Sequence, residues 1–261
     1  MLTIKSSLLA IALTSIAIAA AAAPVSTVTV EFDDPIFTGS GFDVVRIKHP
    51  QITGTASTAT DVAAGRFQGK ATVWANVSES VFVNGVDELF MYCYDVYEGI
   101  NHGQVVDYTI AFDGAKRNTL NFLGAVNSVM SEGKDYDPYA WLRPTSASQG
   151  AAIQIGIWES LYETTDDLST AAGWKLDNGS GGSFQAWKLE NDTVTAWNLF
   201  TGAIDHTDAL GIEYTMVLKA IGAQDMITGD PPTNVPEPGS LALVGLALAG
   251  LVGSRQLRRK V

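Results

Sequence analysis

The stretch Leu89 to Tyr97, LFMYCYDVY, is apolar on both faces of the two-residue repeat that a strand creates. Such a strand is covered on both sides and is not an edge, so the fold around it has to supply material on each face. The residues before it also read as strands. Val25 to Phe32 alternates, with Val28 and Val30 on one face and Thr27 and Thr29 on the other. Phe42 to Ile47, Ala71 to Val77 and Ser80 to Val83 are similar β-rich runs, punctuated by Gly39-Ser40-Gly41, Pro50 to Gly54 and Asn84-Gly85. The period then changes. Lys116 to Met130 and Ser148 to Glu163 carry apolar residues at helical spacing, and Thr193 to Phe200 does so more weakly. Gly211 to Ile221 returns to strand character, and Asp177 to Ser183 reads as a loop. The expected class is α+β: a β-rich domain, sandwich or barrel-like, over residues 24–230, with a helical insertion between its early and late strands.

Both ends of the chain differ from this body. Lys5, the apolar run Leu8 to Ala23 and the alanines that close it read as a secretory signal peptide over residues 1–23. At the other end, a short linker (231–235) precedes Pro236-Glu237-Pro238, an apolar run from Ser240 to Gly253, and the basic cluster Arg255, Arg258, Arg259 and Lys260. Fourteen apolar residues rise only about 21 Å as a helix, short for a bilayer core of about 30 Å. This tripartite tail, residues 236–261, resembles the PEP-CTERM sorting signal of Gram-negative bacteria that make exopolysaccharide. The resemblance implies a short transmembrane segment, removal of the tail by an exosortase, and a location in the cell envelope, on the surface or in the extracellular matrix. An ordinary C-terminal membrane anchor is the alternative, and it too leaves the body outside the cytoplasm.

Of 16 basic and 28 acidic residues, the ends hold five and one, which leaves the body 11 basic against 27 acidic residues, a net charge of −16. That argues against nucleic acid and against anionic membrane as partners, so membrane contact is expected only through the C-terminal segment before processing.

The body holds the chain's single cysteine, Cys93. A free cysteine behaves as a small hydrophobe, and an unpaired one in an exported protein can also be a reactive thiol. On the helix Ser148 to Glu163, Gln154 falls between Trp158 and Leu161, inside the apolar stripe, whereas Glu159, Ser160 and Glu163 fall on the other side. A buried carboxamide has two donors and two acceptor sites to satisfy. By itself Gln154 reads as hydrogen-bonded to a neighbouring backbone. Together the two side chains allow one reaction: the sulfur attacks the amide carbon, ammonia leaves, and an intramolecular thioester remains. It needs no cofactor, only two groups held at attack distance.

Tyr92-Cys93-Tyr94-Asp95 and Ile153-Gln154-Ile155-Gly156-Ile157-Trp158-Glu159, with the later Ala223 to Ile227 (AQDMI), resemble the paired motifs of thioester domains, found in Gram-positive adhesins and in PEP-CTERM surface proteins. The resemblance covers roughly Leu89 to Ile227. It implies a Cys93–Gln154 cross-link and single-use acylation, not enzymatic turnover. The nucleophile would be a surface-protein amine or a polysaccharide hydroxyl, giving an adhesin-like role in biofilm or matrix. Gly156 stands where alanine is expected, a change that would loosen helix packing. Asp95, two residues after Cys93 and so on the same strand face, is a possible proton acceptor, although such an aspartate is more often a structural acceptor.

Other chemistries find less support. There is no G-x-S-x-G, and His49, His102 and His206 are scattered without metal-ligand spacing. Asp166-Asp167 and Asp177-Asn178-Gly179 do not match a calcium loop and read as solvated turns. The rival is a non-covalent glycan-binding or matrix protein, with Trp74, Trp141, Trp174, Trp187 and Trp197 as candidate stacking platforms.

Overall fold

A computed structural model describes residues 24–37, 39–50, 58–176 and 181–229. The predicted leader (1–23), linker (231–235) and sorting tail (236–261) lie outside the described residues, as does Asp177-Asn178-Gly179. Among the described residues no helix is long and apolar enough to cross a membrane.

The strands are β1 (Thr27–Phe32), β2 (Phe42–Lys48), β3 (Thr60–Gly65), β4 (Phe67–Ala75), β5 (Leu89–Cys93) and β6 (Val105–Ala111). Helix α1 (Arg117–Met130) and helix α2 (Ala147–Tyr162) follow, then β7 (Gln185–Trp187), α3 (Asn191–Gly202), β8 (Thr215–Lys219) and β9 (Met226–Gly229). Six strands close a barrel in the order β1-β4-β5-β9-β8-β6, and every neighbouring pair is antiparallel. Strands β3, β2 and β7 form a separate sheet in that order. The fold is therefore α+β and barrel-like, with the helices between the early strands and β8–β9.

Strand β1 buries every second residue, as its alternation requires, and so does β6. All five residues of β5 are buried. On one face Tyr92 stacks on Trp141 with ring centroids 5.8 Å apart, and the Arg66 guanidinium lies 3.6 Å over the Phe90 ring. Leu89, Met91 and Cys93 fill the other face, which is why the stretch is apolar throughout.

Helix α2 departs from the amphipathic expectation. Gly150 to Ser160 are all buried, because α1, α3 and the β2–β3 sheet surround the helix. Glu159 and Ser160 sit inside, not on a solvated face. The Ser160 hydroxyl meets that of Thr119 at 2.7 Å and donates to the Ile157 carbonyl at 2.7 Å. Glu159 accepts the Lys175 N–H at 3.5 Å. Gly156 does not loosen the packing: a Cβ there would overlap the Phe122 ring, so glycine lets α1 and α2 approach closely.

The three helices appear where periodicity places them. Ser80 to Val83 is a 3-10 turn over Glu79–Val81 instead of a strand. The strand from Leu89 stops at Cys93, not Tyr97, because the Asp95 carboxylate takes the N–H groups of Tyr97 (3.0 Å) and Glu98 (3.3 Å) and turns the chain. The sequence reading does not place strands β3, β6, β7 and β9, although the alternation of β6 is legible in VVDYTIA.

Candidate functional site

The site forms where β5 outlasts one neighbour. On the β4 side, pairing ends with Phe67 opposite Met91, since β4 begins there. On the β9 side, Cys93 lies opposite Met226, and Tyr94 N–H continues the ladder to the Asp225 carbonyl at 2.7 Å. Successive residues of a strand direct their backbone groups to opposite neighbours. The N–H and C=O of Cys93 therefore face the side that β4 has vacated.

Gln154 fills that position from α2. Cys93 N–H donates to Gln154 Oε1 at 2.8 Å, and Gln154 Nε2 donates to the Cys93 carbonyl at 2.9 Å. The side-chain amide thus replaces a rung of the sheet. Both residues are buried, Gln154 at 0% and Cys93 at 2% exposure. The two sequence-predicted partners, 61 residues apart, are brought together, and the backbone hydrogen bonding expected of a buried glutamine is made to the cysteine residue itself. Burial, with the Asp95 charge adding to it, pushes the Cys93 thiol well above its ordinary value of 9.0.

Asp95 lies two residues beyond the end of β5. Both of its carboxylate oxygens accept backbone N–H groups: Oδ1 those of Tyr97 and Glu98, Oδ2 that of Asp225 at 2.5 Å. Its carbonyl accepts Trp158 Nε1–H at 3.2 Å and a Gln224 Nε2–H at 2.9 Å. These contacts make Asp95 a structural tie between the turn after β5 and the segment before β9. They also give Trp158 and Gln224 functions that sequence reasoning missed. The available signal was the segment Ala223 to Ile227, whose turn packs on Asp95. Burial first, and then the Asp95 and Glu98 charges, raise the Asp225 carboxyl above its ordinary value, against the opposing Ala220 N–H bond.

A cleft of about 420 Å³ opens beside Cys93, bordered by Ile36, Phe37, Phe67, Ile100 and Trp158, with Glu98 and His102 at an exposed rim. His102 Nδ1 accepts the Ile36 N–H at 3.2 Å. Among the described residues no group of three or more His, Cys, Asp or Glu side chains is placed to hold a metal. Asp166 pairs with Lys175 at 2.5 Å, and Asp167 accepts the Ser169 N–H at 3.0 Å, as turn residues do. Trp141, Trp174 and Trp197 are core residues, and Trp74 and Trp187 are partly buried, so none of the five is a fully open platform.

Residues 234–259 match the PEP-CTERM protein-sorting motif. The chain carries a PEP-CTERM sorting signal. It is thereby marked as an exported surface protein of the Gram-negative type, processed by an exosortase that recognises the signal. No curated protein and no solved structure matches the chain.

Proposed function

We propose that Cys93 and Gln154 form an internal thioester, and that the exported protein uses it once to attach covalently to a partner on a cell surface or in the extracellular matrix. The observation that carries this reading is the two-way hydrogen bonding between the Gln154 amide and the backbone of Cys93. The amide carbon is fixed beside the residue that bears the sulfur. The Cys93 N–H already points at Oε1, where negative charge develops when sulfur adds to the carbonyl. The Cys93 carbonyl holds the nitrogen that leaves. In the step itself the C–S bond forms, the C–N bond breaks, and the thiol proton departs on the nitrogen as ammonia. Asp95 positions the turn after Cys93 instead of moving that proton.

Attack on the stored acyl group by a surface-protein amine or a polysaccharide hydroxyl forms an amide or ester and returns the thiol. Each molecule reacts once, so the protein is an acylating adhesin and not a catalyst. Burial of the thiol favours storage, because a sulfur that is poorly stabilised as thiolate is a reluctant leaving group. Intact mass tests the reading. The mature protein should weigh about 17 Da less than its sequence, one ammonia lost on acyl transfer to sulfur. A Cys93→Ala variant should show no such deficit. Full mass with a titratable thiol in the unaltered protein would leave the non-covalent glycan-binding or matrix reading in its place.

A further inference from the structure

Strand β3 is an edge of its sheet: it pairs with β2 and, among the described residues, with no strand on its other side. Register determines which of its backbone groups are left over. Ala186 of β7 donates its N–H away from β2, to the Leu176 carbonyl at 2.8 Å. Ile47 and Ala186 are therefore a non-hydrogen-bonded pair of the antiparallel ladder, and Ile47 turns its N–H and C=O toward β3. Backbone direction alternates along a strand, so Val45 also faces β3, and the partners of these two residues, Thr60 and Val62, face β2. Asp61 and Ala63 then direct their N–H and C=O groups off the edge, where no described residue bonds to them. Such a row of unpaired groups is a template for another extended chain.

That edge borders the Cys93 cleft. Val62 and Ala63 line it together with Cys93, Glu98 and Trp158. A strand added to β3 would lie about 4.8 Å beyond it, alongside the cleft. Paired residues project to the same side of a sheet. A residue opposite Val62 would therefore point, as Val62 and the buried Val45 do, to the face that α2 covers and from which Trp158 borders the cleft. The charge there suits a cation. Glu98 is exposed at the rim, the exposed Asp34 lies 3.6 Å from His102 Nδ1 beside it, and no lysine or arginine is among the described residues that border the cleft. The body as a whole has 11 basic against 27 acidic residues.

We infer that the free edge of β3 docks an extended, basic, lysine-bearing segment of a partner polypeptide, which pairs with Asp61 and Ala63 as an added strand and so directs one lysine into the Cys93 cleft. A polysaccharide has no alternating N–H and C=O groups with which to extend a sheet, so the edge selects protein over glycan. The docking half of this inference stands without the thioester; the coupling half rests on the thioester reading. In coupling, the lysine nitrogen bonds to the Gln154 carbonyl carbon, the C–S bond breaks, and a proton of the amine passes to the Cys93 sulfur.

The probe is a short fluorescent peptide that alternates lysine with valine and threonine. For docking, its anisotropy is followed on the full chain carrying Cys93→Ala, where no acyl transfer can occur. Binding is expected, and it should weaken several-fold when the peptide backbone is N-methylated, which keeps the charge and the side chains. It should weaken similarly in Ala63→Pro. Proline is tolerated where the N–H faces off a sheet edge, so this change spares the β2–β3 ladder, and an unchanged melting midpoint verifies that. No binding, or equal binding of the methylated and unmethylated peptides, overturns the docking. For coupling, protein with native Cys93 is mixed with the peptide or with a soluble aminodextran at equal amine concentration. Several-fold faster coupling of the peptide is expected, and equal rates overturn the selection of protein over glycan. Full mass with no adduct of either kind overturns the thioester reading and the coupling half with it, and the anisotropy result still decides the docking.

Discussion

At the scale of single residues, the Gln154 amide has a structural duty that is independent of any chemistry. It satisfies two buried backbone groups of Cys93 that no strand reaches. Gln154→Ala orphans both, at about 1–3 kcal/mol for each unsatisfied group. The expected result is a clear fall in the denaturation midpoint together with the unreduced mass of a chain that cannot lose ammonia. A midpoint equal to that of the parent would mean that water or a shifted backbone replaces the rung. Gly156 offers a second, separable experiment. Because a Cβ there would overlap Phe122, Gly156→Ala should destabilise the fold by about 1–3 kcal/mol, as overpacking of a rigid core does. The helix propensity of alanine would predict the opposite sign, so the direction of the change in urea unfolding decides between them. The position of Gln154 within an apolar stripe was readable from spacing. That its partner is the backbone of Cys93 was not, since spacing along a helix carries no information about where a neighbouring strand stops.

At the scale of elements, the end of α2 is held by Glu163. Its carboxylate accepts the N–H of Asp166 at 3.0 Å, Ser183 at 2.7 Å and Phe184 at 3.2 Å, and both the N–H and the hydroxyl of Thr165. Burial alone would raise its pKa, but these hydrogen bonds outweigh burial and lower it from 4.5 to about 2. A carboxyl depressed on folding contributes stability that is fully present above its unfolded value and is lost as the pH falls through its folded value. The Glu163 contribution should therefore disappear between about pH 4.5 and pH 2. Thermal unfolding of parent and Glu163→Gln across that window checks it: the gap between the two should be widest above pH 5 and should close toward pH 2. A gap that is constant with pH would show that the carboxylate charge is not what holds the loop. The helical spacing that reveals α2 places Glu163 on the side opposite the apolar stripe. The structure instead folds residues 181–184 over it, which is long-range packing that a helical wheel cannot see.

At the scale of the whole molecule, the barrel is closed by β9, which pairs with both β5 and β8 and ends at Gly229. Of the residues after Gly229, 234–259 match the sorting motif. Removing residues 230–261 should accordingly leave the denaturation midpoint unchanged while abolishing retention in the membrane fraction. Unfolding of the truncated chain would show that the tail also contributes to the core. The sequence by itself determined what is written in local pattern and composition: the alternating strands, the three helical segments, the acidic body and the tripartite tail. Each of these depends on neighbours only a few residues apart. Tertiary structure alone decided that the strands close into a barrel, that α2 is buried on every side, and that β4 starts two residues too late to pair with Cys93. That late start of β4 is the physical origin of the candidate site. It leaves an N–H and a C=O exposed to a low-dielectric interior, and the nearest group able to satisfy both was the carboxamide of Gln154.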